Sequence, residues 1–135
     1  MRVFLDTNVL VSAFSTRGLC ADVFRTVITE HDLVVGEVVL AELCRVLASR
    51  FKVPSDRIQE VEALLRSYEV VAKPKAMDPT PVRDRTDRWI LANARAAEAD
   101  VLITGDQDLL AVADEAGIRI LTPREFWEEI RRGAR

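Results

Sequence analysis

Histidine is almost missing from this chain: His31 is the only one in 135 residues, and the two cysteines, Cys20 and Cys44, form no short-spaced pair. Three soft ligands without motif spacing do not make a zinc site, so buried free thiols are the expected state. A lone imidazole at the edge of a predicted strand gives no basis for acid–base chemistry, and His31 is expected in a solvated loop. No apolar run approaches the ~18 residues of a membrane span. Asp6 also breaks the apolar stretch that an N-terminal signal peptide would need, so the chain reads as cytoplasmic. Repeats and low-complexity tracts are absent as well. What remains is 49% apolar and 30% charged, ordinary for a globular protein and, at this length, one domain over 1–135. A net charge of −3 argues weakly against nucleic acid, which usually meets a basic surface. Four carboxylates neutralised by bound cations would reverse the sign, so the balance decides nothing.

Short apolar runs alternate with helical patterns. Strands are predicted over 3–5, 33–35, 69–72, 101–104 and 119–121, and amphipathic helices over 21–29, 38–49, 57–67, 86–99, 108–116 and 124–132. Valine- and leucine-rich strands, each followed by a helix, indicate a parallel sheet covered on both faces. The segment "KPKAMDPTPVRDR" (73–85) holds three of the five prolines and reads as a loop from the third strand to the helix beginning near Thr86.

Functional residues of an open parallel sheet gather beyond the C-terminal ends of its strands. Asp6 follows the first strand directly, and Asp106 follows the fourth in "VLITGDQDLL", after Gly105. Either can serve simply as a helix cap. Glu42, in "GEVVLAELCRVL", has Val38, Val39 and Val46 at helical spacing and so lies on or beside an apolar stripe. A carboxylate there is costly unless paired or metal-bound; Arg45, three residues on, offers a surface ion pair instead. Asp87 forms an i, i+3, i+4, i+7 series with Ile90, Leu91 and Ala94, which puts it at the head of a buried face. Its alternative is a capping arrangement with Asp84 as N-cap, and Arg88 could neutralise Asp84 across one turn.

Taken in order and spacing, "FLDTNVLVSA", "LAELCRVL", "RDRTDRWILANA" and "ADVLITGDQDLL" resemble the PIN-domain nucleases, most of all the small prokaryotic VapC-like toxin components of toxin–antitoxin pairs. The first and last motifs carry most of the specificity, and the resemblance covers essentially the whole chain. It implies an α/β fold, a three-layer α/β/α sandwich with a parallel sheet in the order 3-2-1-4-5. The family's acidic quartet falls on Asp6, Glu42, Asp87 and Asp106. Asp108 matches a frequent fifth acid, and Asn8 and Thr104 match supporting polar positions, with Asp84 beside them as a cap. Arg88 stands where similar proteins commonly carry a second acid beside the helix aspartate. RNA as substrate, a cognate antitoxin and a homodimer, with the helix over 57–67 as one candidate face, are also implied by the resemblance.

Clustered carboxylates repel one another unless protonated or bound to cations. An oxygen-only set suits Mg²⁺ or Mn²⁺, and one or two such ions can activate water and stabilise a leaving oxygen in metal-dependent phosphodiester hydrolysis. Arg17, Arg45, Arg83, Arg85 and Arg88 are candidates to hold an RNA backbone, or are simply a solvated face. Trp89 and Trp127 are candidates to stack bases or to fill core and interface. Two rivals stand beside the nuclease. One is a phosphoacceptor module built on Asp6; Asn8 occupies the place of its second acid, and Lys52, Lys73 and Lys75 lie away from the sheet's C-terminal edge. The other is a catalytically silent module that binds RNA or protein.

Overall fold

A computed structural model of the chain describes residues 1–133. Its elements run β1 (Arg2–Leu5), α1 (Thr7–Ser15), α2 (Leu19–Glu30), β2 (Asp32–Gly36), α3 (Glu37–Ser49), α4 (Ser55–Arg66), β3 (Glu69–Val71), α5 (Arg85–Ala96), β4 (Val101–Ile103), α6 (Gln107–Leu110), β5 (Arg119–Leu121) and α7 (Pro123–Gly133). The strands form one parallel sheet in the order β3-β2-β1-β4-β5, flanked by helices on both faces. The parallel sheet covered on both faces is what the sequence pattern implies, and the strand order is the one that the family resemblance implies.

Burial on both faces explains the strand composition. Val3, Phe4 and Leu5 in β1 and Val101, Leu102 and Ile103 in β4 are all buried, with no polar alternation, as expected where helices cover each side. The order of the strands reverses between β1 and β4, so a crevice opens beyond their C-terminal ends. Register fixes its contents: Leu5 lies opposite Ile103, and the Asp6 N–H donates to the Ile103 carbonyl at 3.0 Å. The residues just beyond these two strands are therefore brought side by side.

Two long-range devices set the helices around that crevice. The first is Asn93, fully buried on α5. Its Oδ1 accepts from the Val38 N–H at 3.0 Å, and its Nδ2 donates to the Val71 and Ala72 carbonyls at 3.3 and 3.2 Å. It thus caps α3, whose own N-cap, Gly36, has no side chain to do so, and ties it to the end of β3. The approach is close enough that a Cβ on Gly36 would sit 2.3 Å from Asn93 Oδ1 and 2.7 Å from the Phe4 ring. The second device is the buried Asp78 carboxylate, which takes Arg95 Nε at 2.5 Å and the Thr80 N–H at 2.9 Å. Arg95 also reaches the Thr80 hydroxyl and the Ala116 carbonyl. The proline-bearing loop is pinned to α5 and to the segment before β5.

Several local expectations are corrected. α1 occupies Thr7–Ser15, outside the helical stretches read from periodicity, because nine residues give too few turns to show a stripe. The helix expected over 108–116 stops at Leu110; beyond it the Val112 and Ala113 N–H groups bond carbonyls three residues back, at Leu109 and Leu110. The helix expected to reach 99 ends at Ala96, with Glu98 at φ 54 just beyond. β3 and β4 each end one residue earlier than expected. His31 is no free loop residue: it follows α2 and packs edge-on against Phe126, ring centroids 5.9 Å apart. Cys20 and Cys44 are free but half-buried. Arg88 does not neutralise Asp84; its Nε donates to the Val82 carbonyl at 2.7 Å.

Candidate metal centre

Asp6 ends β1 and begins α1. Its Oδ1 accepts the N–H of Thr7, the first residue of α1, at 2.7 Å, while Oδ2 accepts the Thr104 hydroxyl at 2.6 Å. Thr104 follows β4 and is itself fully buried; its Oγ1 in turn accepts the Asp106 N–H at 2.9 Å. One hydroxyl therefore links the two strand-end aspartates. Asp106 caps α6 with the oxygen that accepts from Asp108 N at 2.8 Å and Leu109 N at 3.4 Å. Asn8 closes the same edge, its Oδ1 3.5 Å from the Gly105 N–H.

The helix-borne acids arrive from the side. Glu42 flanks the buried stripe of α3 made by Val39, Leu43 and Leu47. Its side chain is 23% exposed, and Arg45 stands 3.7 Å away, a loose pair with an arginine that is itself 67% exposed. Asp87 heads the buried face of α5 that continues through Ile90, Leu91 and Ala94. Asp84 is the N-cap of that helix, accepting the Thr86 N–H at 2.8 Å. Asp6, Glu42, Asp84, Asp87 and Asp106 all line one cleft of about 550 Å³, whose rim includes Arg45 and Arg50. Asp108 lies outside that lining. It pairs with Arg83 at 3.2 Å, and one oxygen each of Asp84, Asp87 and Asp108 fall within 4.8 Å of one another. Sequence reasoning counts Asp84 among the supporting residues, as a cap; its place one helical turn before Asp87 is the signal that both carboxylates face the same way.

The electrostatics of the cleft are those of a site short of positive charge. Burial pushes the Asp6 carboxyl up to about 6, against the pull of its bonds from Thr104 and Thr7 and with further repulsion from Glu42 and Asp106. Asp87 is raised too, first by burial, then by the charges of Asp106, Asp6 and Asp84 and by its contact with Asp106. Asp87 Oδ2 is buried with no hydrogen-bond partner. A buried carboxylate oxygen left bare costs on the order of 1–3 kcal/mol or more, which a proton or a cation would offset. Donors here are all oxygens, and the orphaned one faces a group of like charges. That donor set fits a hard divalent cation such as Mg²⁺ or Mn²⁺. The nearest soft ligands offer no rival set, since His31 and Cys20 belong to α2 and its end and Cys44 points toward Glu62, 3.9 Å away.

The other sequence candidates fall elsewhere. Arg17 and Arg85 are exposed, with no carboxylate at ion-pair distance among the described residues. Trp127 is half-buried at α7, far from the acids in the fold, and Trp89 is half-buried under Lys73, whose Nζ lies 4.3 Å from the ring centroid.

Comparison with known proteins agrees with this fold. Solved structures share the fold, among them the three that follow. VapBC2 from Rickettsia felis, bound to a DNA fragment from their promoter, is 16% identical with a TM-score of 0.64, covering 90% of this chain and 98% of that one. FitAcB from Neisseria gonorrhoeae is 18% identical with a TM-score of 0.65, again covering 90% and 98%. A toxin-antitoxin complex from Klebsiella pneumoniae is 20% identical with a TM-score of 0.63, covering 90% and 97%. No curated protein gives a match to this sequence. The PIN domain family model matches residues 2–108, from the start of β1 through the acids that follow β4. With the sheet order, the strand-end aspartates and that match over most of its length, this chain belongs to the PIN domain family.

Proposed function

We propose that the chain works, as one PIN domain, as a divalent-metal-dependent endoribonuclease: the toxin of a toxin–antitoxin pair. The observation that carries the reading is the convergence of Asp6, Glu42, Asp87 and Asp106 on one cleft, with a buried Asp87 oxygen left without a partner. Asp6 and Asp106 would hold Mg²⁺ or Mn²⁺ most directly, with Glu42 and Asp87 completing the shell themselves or through water. When bound, such an ion supplies Lewis acidity toward water and the scissile phosphate and offsets the charge of the leaving oxygen.

The protein's own residues prepare that chemistry. Thr104 and the Thr7 N–H hold one oxygen each of Asp6, which fixes the carboxylate plane and leaves its remaining lone pairs for a cation. Asp106 is fixed in the same manner, its cap bonds occupying one oxygen. Arg45 is tied to Glu42 only loosely and is placed to meet a phosphate at the cleft mouth, as is Arg50. Asp108 would support the site from the Asp84–Asp87 side, or serve the start of α6. RNA as the polymer comes from the family resemblance, as does a small antitoxin partner, and the named complexes of similar fold favour the latter. Phe51 and Leu64, the large apolar residues left exposed beside α3 and on α4, are the candidate homodimer face. Action in the cytoplasm belongs to the same reading; no helix among the described residues is long and apolar enough to cross a membrane.

The test is cleavage of single-stranded RNA by purified protein with Mg²⁺ or Mn²⁺ and with excess EDTA. The expected result is cleavage with either metal and none in EDTA, with a neighbouring gene's small protein suppressing it. Robust cleavage in EDTA, from a preparation free of host nuclease, would overturn the metal mechanism.

A further inference from the structure

The helix that carries Asp87 has a second functional face. Thr86, Trp89 and Asn93 lie at i, i+3 and i+7 on α5 and so share one stripe. Its inner end is fixed by the bonds of Asn93 to Val38, Val71 and Ala72. Its outer end meets the first turns of α3 across a hollow of about 430 Å³, lined by Glu37, Val38, Ala41, Lys73, Thr86 and Trp89. Thr86 also lines the acid cleft, so the two depressions share a wall. We propose that this hollow is a nucleobase subsite: a base flanking the scissile phosphate of single-stranded RNA stacks on Trp89, and Lys73 contacts the adjoining phosphate. The inference rests on the nuclease reading above.

Charge separates this hollow from an ordinary surface dent. The segment over 73–85 carries Lys73, Lys75, Arg83 and Arg85 against Asp78 and Asp84. Asp78 is held by Arg95 and Arg83 by Asp108. Lys73, Lys75 and Arg85 have no carboxylate within ion-pair distance among the described residues. The one acid lining the hollow, Glu37, is engaged by Arg66 at 2.5 Å. An apolar floor with an unneutralised cation on it, Lys73, is the combination that binds single strands: the ring takes the base, and the cation takes the backbone. In the free protein the Lys73 ammonium covers the Trp89 face at 4.3 Å, a cation–π contact worth only about 0.5–1 kcal/mol at an exposed site. A base can take its place, and the lysine stem is long enough to swing to a phosphate.

The test uses full-length Asp6→Asn protein, which should bind RNA without cutting it, with Trp127→Phe so that Trp89 is the only reporter. A short single-stranded RNA should quench Trp89 fluorescence, and the same strand made abasic should not. Trp89→Leu should bind the RNA roughly 10–100-fold more weakly, whereas Trp89→Phe should stay within about threefold, since a smaller ring still stacks. In cleavage-competent protein, Trp89→Leu should raise KM with little change in kcat. No quenching at saturating RNA, equal quenching by the abasic strand, or unchanged RNA affinity in Trp89→Leu would each overturn the subsite while leaving the nuclease reading intact. Wild-type protein that neither binds nor cuts RNA would overturn the nuclease reading instead, and the subsite with it. If Trp89→Leu fails to fold, the fluorescence arm, intact against abasic strand, still decides.

Discussion

Replacing Asp6 with asparagine separates what the cap contributes from what the charge contributes. The carboxyl titrates near 6 in the folded protein against an ordinary 3.8. A raised folded value means that the protonated form favours folding: the benefit is complete below about 3.8 and is lost as pH rises through about 6. At pH 7.5 the ionised carboxylate therefore costs the metal-free protein about 3 kcal/mol, taking about 1.4 kcal/mol for each unit of raised pKa. Asparagine removes that cost and keeps the cap, because its Oδ1 still accepts the Thr7 N–H and asparagine caps as well as aspartate. It also turns an amide toward Thr104, whose hydroxyl then receives two donors and loses its own acceptor, at about 1 kcal/mol. The balance is a gain of about 2 kcal/mol in EDTA at pH 7.5, or roughly 7 °C in Tm for a chain of this size. At pH 5 the folded carboxyl is mostly protonated and the gain should shrink below about 1 kcal/mol. Melting curves in EDTA at the two pH values measure this, and cleavage rates in Mn²⁺ should fall by orders of magnitude in the same variant. A variant that is less stable at both pH values, or that still cleaves at the wild-type rate, would refute the reasoning.

Two further substitutions probe how the helices are held around the cleft. Gly36→Ala puts a methyl group 2.3 Å from Asn93 Oδ1, so α3 or α5 must shift; a loss of about 2–3 kcal/mol is expected by denaturant unfolding, with reduced cleavage as Glu42 and Asp87 move apart. Arg95→Met removes the partner of the buried Asp78 carboxylate and leaves an uncompensated charge under the proline loop. Stability should fall by about 3 kcal/mol, and Asp78→Asn in the same chain should restore part of it.

The central strands were legible because burial on both faces leaves near-continuous valine and leucine runs. Asp6 and Asp106 were legible because a carboxylate directly after such a run, or one short turn beyond it, stands at the crevice. A cap and a functional acid are compatible in local geometry: Asp6 and Asp106 each use one oxygen for the start of a helix. The Asp87 side chain was placed correctly by its helical spacing to Ile90, Leu91 and Ala94. The features that escaped depend on contacts between distant parts of the chain. Nothing local to Gly36 announces that Asn93, on another helix, fills the space its side chain would need. Nor does the lone His31 announce Phe126. The end of α6 after Leu110 escaped for a different reason, since the apolar spacing that continues to Ala116 suits three-residue turns as well as a helix.

The most direct measurement of the central claim is calorimetric titration of Mn²⁺ into the wild-type protein, Asp6→Asn and Asp87→Asn, without RNA. The account predicts that wild type binds, with proton release at neutral pH and below as Asp87 and Asp6, both held above the ordinary carboxylate range, surrender their protons, and that each variant weakens binding at least roughly tenfold. Equal affinity in all three proteins, or no Mn²⁺ binding by a folded wild type, would contradict it.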